Sequence, residues 1–532
     1  MKIPKKFNNN MQANRLLFFF LSITLAFLQS CSQVSKMPDD EILVTGGKIK
    51  GSIDSVNNII SYKGIPFAAP PVGELRWKAP QPVKSWEGVK NCTAFGPSPM
   101  QNKPEPFLYW SQEFLIPESP ISEDCLYLNV WTEPKKTEEK KPVLVYIYGG
   151  GFRSGGTGCP IYDGTAMAKK GLVFVSLNYR VGAFGFLAHP DLSKETDYNG
   201  SGNYGIMDMI AGLQWVKENI AAFGGDPENV TIAGQSAGAF GVNFLTSSPL
   251  AKGLFKNAIA ESGGSFLHFP KDEITKEMAE QMGVNFAQNL GFKSIKELRK
   301  LPAEEILAAQ GALSWPYADG YVMDKSIPET YAQGKQNDVN LLLGWNKNDL
   351  VGAQELEEKE YREMISNKFG EMSTDFYEVY PSETLEEITQ AQLDMSRDQI
   401  FGAQVYEWGK LQDKTGQQPV FMYNFNRQVP GYMPDTQFGA FHSGEIVYAY
   451  DNLHTLNRPW ENIDKEIAKT MSTYWANFAK TGNPNGEGLP EWKPYTASSE
   501  QVIVIDTVIQ SQKLPTLDKM AFWEKYFSSV VE

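Results

Sequence analysis

The stretch that most limits what this chain can fold into is residues 223–239, FGGDPENVTIAGQSAGA. A Gly-Gly-Asp-Pro turn leads into a short apolar run, Val230, Thr231, Ile232 and Ala233. That run meets Gly234-Gln235-Ser236-Ala237-Gly238, followed by small and apolar residues. The order is strand, tight turn, helix. A serine at the tip of such a turn is held in a strained backbone that only small neighbours permit, so Gly234 and Gly238 leave room for strand and helix to approach. This context, more than the pentapeptide alone, predicts that Ser236 projects into a cleft.

Residues 141–148, KPVLVYIY, are a continuous apolar, β-branched run of the kind that forms a buried strand. They lead directly into Gly149-Gly150-Gly151-Phe152. Consecutive glycines lose more entropy on folding than other residues, and in return their backbone N–H groups approach a reacting oxygen unobstructed. Residues 171–187 supply a second buried strand, and Ile206, Ile210, Leu213, Val216 and Ile220 have the spacing of a helix packed on a sheet. Strands alternating with helices predict an α/β fold with a mostly parallel, covered sheet, and active residues at the carboxyl ends of its strands.

Residues 223–239 resemble the serine active-site signature of the type-B carboxylesterase and cholinesterase family, whose members are α/β-hydrolases. That family most often has Glu before the serine, where this chain has Gln235. Residues 123–131, EDCLYLNVW, resemble the family's second signature nearly residue for residue, with its usual proline one place late as Pro134. Their alternation of Leu126, Leu128 and Val130 is strand-like. Residues 63–82, KGIPFAAPPVGELRWKAPQP, are a further family feature whose proline density makes an extended surface segment. Family members often carry His before the glycines; Tyr148 stands there in this chain. The resemblance covers nearly all of residues 42–528. It is weakest at about 270–340 and 355–420, where charge-rich helical segments read as insertions shaping one wall of a gorge.

A serine hydroxyl becomes a good nucleophile only when a base takes its proton and an acid orients that base. In this fold the chain order is Ser, acid, His. Of four histidines, His189 precedes Ser236, His268 follows it too soon for an acid-bearing strand to intervene, and His454 lies in a polar loop. His442 remains, in GAFHSGEI, which resembles the family's histidine loop. The acid is sought after residues 340–344, NLLLG. There the run ending in Asp349 resembles the family's acid loop, although the family usually has Glu followed by Gly and this chain has Asp349 followed by Leu350. Glu355 and Glu357 are the alternatives. The expected oxyanion donors are Gly150, Gly151 and Ala237. Ser262 and Glu445 resemble family residues that support the acid and the histidine from behind.

The resemblance implies a cofactor-free, metal-free carboxylic ester hydrolase acting on small-molecule esters. A lipase or polysaccharide deacylase would use the same residues, and a non-catalytic adhesion module is the reading from another class. No aromatic anchor for a choline-like cation is matched just ahead of Glu123.

The net charge of -14, from 49 basic and 63 acidic residues, argues against nucleic acid or an anionic surface as ligand. Lys2, Lys5, Lys6 and Arg15 precede the apolar run 16–28, which is too short to span a membrane and fits a secretory signal over residues 1–30. Leu28-Gln29-Ser30-Cys31 resembles the lipobox of bacterial lipoproteins, with Cys31 lipidated and residues 31–41 as a tether; ordinary cleavage near Ser30 is the alternative. Such a chain is exported and held at the cell envelope by lipid alone, its catalytic domain spanning residues 42–532. Cys92 and Cys125 resemble the family's first disulfide, and Cys159 is read as a free thiol.

Overall fold

The computed structural model describes Met1 and residues 40–134, 139–267, 273–349, 352–432 and 438–531. Residues 2–30 of the signal segment, Cys31, most of the tether and His268 lie outside the described residues.

The apolar runs become strands of one 11-stranded sheet. In chain order these are β1 (Ser52–Asp54), β2 (Ile59–Pro66), β3 (Tyr127–Thr132), β4 (Lys141–Ile147), β5 (Val173–Leu177) and β6 (Gly225–Gln235). They continue as β7 (Asn257–Glu261), β8 (Asn340–Asn346), β9 (Val420–Phe425), β10 (Gln501–Ile505) and β11 (Gln510–Lys513). Their spatial order is β11-β10-β9-β8-β7-β6-β4-β5-β3-β2-β1. From β5 to β10 every neighbouring pair is parallel, and antiparallel pairs close the two edges. Strands β5, β7, β8 and β9 are buried at every residue, as a sheet covered on both faces requires.

The cover comes from helices. The spacing read in residues 203–222 becomes α1 (Tyr204–Asn219), and the run after Ser236 becomes α2 (Ala237–Ser247). Gly241 of α2 lies against Ile147 on one face of the sheet. The helix Asn462–Thr481 meets Thr231 on the other face. Both low-resemblance regions are helical, with Lys276–Asn289 in the first and Glu358–Phe369 and Leu385–Arg397 in the second.

The expected Cys92–Cys125 disulfide is corrected by the structure, in which both are separate buried thiols. Cys92 lies along β2 where its carbonyl accepts from Lys63 N–H, whereas the chain at Leu126 meets β2 at Phe67. The two attachment points, Lys63 and Phe67, are four residues apart, with the irregularity between Tyr62 and Ile65 close by. They also lie on opposite edges of β2, since the bridge between Lys63 and Thr93 faces away from β3. A disulfide needs Cα atoms within about 7 Å. Cys159 is a buried free thiol, as read, and burial pushes it well above the ordinary thiol range.

Candidate active site

Ser236 sits between β6 and α2 with φ 55° and ψ -125°, a strained backbone that lifts its side chain out of the sheet. The flanking glycines are required sterically. A Cβ on Gly238 would lie 2.0 Å from the Ile147 carbonyl oxygen, and one on Gly234 would lie 2.4 Å from the Gly238 carbonyl. Ser236 opens into a cavity of about 560 Å³, within the usual size of a ligand pocket. Among the described residues its hydroxyl makes no hydrogen bond, so it is free toward that cavity.

The glycine run after β4 forms another wall of the same cavity. Gly150 and Gly151 have φ of 113° and 63°, which only glycine adopts without strain. The loop is pinned from both sides. Gln101 Nε2 donates to the Gly155 carbonyl at 2.7 Å and its Oε1 accepts from Gly155 N–H at 2.8 Å. Tyr148, where relatives often have His, stacks on Tyr179 with centroids 4.4 Å apart, and each hydroxyl donates to the other's carbonyl. Ala237 N–H begins α2 beside the serine, at the positive end of the helix.

His442 comes from the loop after β9, and Asp349 from the turn after β8. His442 Nδ1 and Asp349 Oδ1 are 2.9 Å apart, with the carboxylate wholly buried. The other carboxylate oxygen accepts from Ser262 Oγ at 2.8 Å and from Asn346 N–H at 2.8 Å. The two loops are knitted together: Asn348 Oδ1 accepts from Ala440 N–H at 3.0 Å, and Asn346 Nδ2 donates to the Phe441 carbonyl at 2.8 Å and to Glu445. Glu445 is buried, and burial beside Asp349 and Glu261 pushes its carboxyl well above the usual carboxylate range. Glu355 and Glu357 are exposed, and Glu357 instead caps the helix Glu358–Phe369. The other described histidines are elsewhere: His189 caps a short helix by accepting from Asp191 N–H, and His454 is exposed.

Three contacts of the site are not given by the sequence motifs. Phe401, from a turn at Asp398–Gly402, stacks on His442 with centroids 4.7 Å apart and 20° between planes. Trp110 meets the same ring edge-on at 6.3 Å and lines the cavity with Phe114, Leu115 and Ile116. Much of the cavity lining comes from residues 101–116, while Phe401 is supplied by the second helical region. The density of aromatics in Phe107, Tyr109, Trp110 and Phe114 was the available signal. The third is Gln235, whose amide reaches His442. Among the described residues no cluster of metal-ligating side chains is present.

The model of the carboxylesterase family matches residues 38–523. Para-nitrobenzyl esterase of Bacillus subtilis is 34% identical over 501 residues, covering 89% of this chain and 96% of that one. Fumonisin B1 esterase of Sphingopyxis macrogoltabida is 33% identical, covering 88% of this chain and 87% of its own. Liver carboxylesterase 1 of Oryctolagus cuniculus is 30% identical, covering 95% and 97%.

Proposed function

Because the chain belongs to the carboxylesterase family and is a serine carboxylesterase, we propose that Ser236, His442 and Asp349 are its triad and Gly150, Gly151 and Ala237 its oxyanion hole. The observation that carries this reading is the 2.9 Å contact between His442 and a buried Asp349 on the cavity into which Ser236 opens. Ser236 Oγ attacks the ester carbonyl while His442 Nε2 accepts its proton, and Asp349 holds the Nδ1–H tautomer and stabilises the imidazolium. The backbone N–H groups stabilise the oxyanion. His442 then protonates the leaving alcohol, and water repeats the sequence on the acyl-enzyme. Ser262 holds Asp349, and Glu445 ties the histidine loop to β8 through Asn346. The aromatic and aliphatic wall of Trp110, Phe114, Leu115 and Ile116 suits the apolar part of a small ester.

The test is hydrolysis of p-nitrophenyl esters from acetyl to long acyl chains. Ser236→Ala is expected to fold as the wild type does and lose turnover by at least about three orders of magnitude. A variant that retains substantial activity defeats the nucleophile assignment. Turnover rising toward long chains would favour a lipase. We further propose that Cys31 is lipidated and anchors the protein at the cell envelope; Cys31→Ala should then move it from the membrane to the soluble fraction, and unchanged fractionation defeats the anchor.

A further inference from the structure

Gln235 ends β6 and directly precedes Ser236, with 2% of its surface exposed. Its amide Nε2 lies 3.3 Å from Nε2 and 3.4 Å from Nδ1 of His442. Its Oε1 accepts a hydrogen bond from Ser443 Oγ at 3.1 Å. Trp110 Nε1–H donates to that same Ser443 oxygen at 3.4 Å, so the Ser443 hydrogen is directed at Gln235. The amide orientation follows: its oxygen is engaged by Ser443 and its N–H hydrogens face the imidazole. Phe401 stacks on the ring and Asp349 takes Nδ1, so Gln235 completes the contacts that hold His442 in place.

We propose that Gln235 is a positioning residue for the base: its uncharged amide braces the His442 ring from the serine's side without bringing a second anion to it. The inference rests on His442 being the general base. Among the described residues, Asp349 is then the one carboxylate in contact with the ring. Glu445 and Glu261 lie behind it, and burial pushes both carboxyls up, that of Glu261 to about 8. Tyr109, stacked on Phe441, is pushed up by burial and stays neutral. On the helical side Arg397 and Asp398 neutralise each other at 2.7 Å, and Lys103 and Glu105 lie on the cavity lining. With its amide hydrogens toward the ring, Gln235 adds a contact to the imidazole without adding a charge.

Glu has the shape of Gln, so Gln235→Glu keeps the side-chain volume while replacing the amide N–H donors with a charged acceptor. An opposite charge this close favours the charged partner by roughly one pH unit or more. The experiment is kcat/KM for p-nitrophenyl acetate against pH, with the full chain. The acid limb of Gln235→Glu is expected to move upward by about one unit or more, giving roughly tenfold lower activity below the limb relative to the variant's own alkaline plateau. An unmoved limb in a folded, active Gln235→Glu overturns the proposal. A Ser236→Ala variant that still hydrolyses overturns the triad and this inference with it, so the two failures are told apart. Should Gln235→Glu not fold, Gln235→Met decides: a fall in kcat at unchanged KM is expected, and unchanged kcat overturns the bracing role.

Discussion

Asp349 is one methylene shorter than the glutamate relatives usually place in the acid loop, and its turn is hydrogen-bonded to the turn carrying His442. Asn348 bridges to Phe441 and binds Ala440, so the turn carrying Asp349 is sewn to the turn carrying His442. The carboxylate is then oriented by Ser262 and by the Asn346 N–H. Hydrogen bonds to a charged group contribute about 1.5–3 kcal/mol. If that orientation matters in the transition state, Ser262→Ala should lower kcat roughly tenfold to a hundredfold with little change in KM. Steady-state kinetics check this, and wild-type kcat would show Ser262 to be a packing residue only. At this scale the motifs identify Ser236, His442 and Asp349. They mark Gln235 only as a departure from the usual Glu and leave Phe401 and Trp110 unmarked, because each acts through a contact with a residue distant in sequence.

The turn between β6 and α2 shows how an element can depend on the absence of a side chain. Gly238 packs against the carbonyl of Ile147, the last residue of β4, so the Ser236 turn and the glycine loop are held in register by backbone contact. A methyl group there meets backbone, which cannot rotate aside. Gly238→Ala is expected to cost about 1–3 kcal/mol or more and to lose ester hydrolysis by displacing the turn. The urea midpoint and p-nitrophenyl acetate turnover measure both. A variant with wild-type midpoint and activity would mean that the elbow tolerates separation from β4. This element is legible in sequence because the steric rule behind it acts over five residues.

Across the whole molecule, buried carboxylates behind the site make stability depend on pH. Glu261, at the end of β7, accepts from Trp475 Nε1–H at 2.6 Å, and Tyr450 lies at 3.5 Å. Burial raises its carboxyl from an ordinary 4.5 to about 8, with both hydrogen bonds opposing the rise. The folded state therefore holds a proton that the unfolded chain has released. This contribution to stability is fully present below pH 4.5 and is lost as pH rises toward 8. Glu261→Gln should flatten the decline of the urea midpoint between pH 5 and 8, and an equally steep decline in the variant would refute this account. Local patterns determine a good deal of this protein. Burial periodicity gives the strands of a covered parallel sheet, turn sterics give the serine elbow, and chain order narrows the histidine to one. Those forces act over a few residues, so they are written in short stretches of sequence. Tertiary structure alone decides which carboxylate meets His442, that Cys92 and Cys125 stand on opposite edges of β2, and that Gln235 touches the ring. Asp349 and His442 are 93 positions apart and Gln235 and His442 are 207, and such pairs are set by how the strands are ordered in the sheet, which no local pattern records.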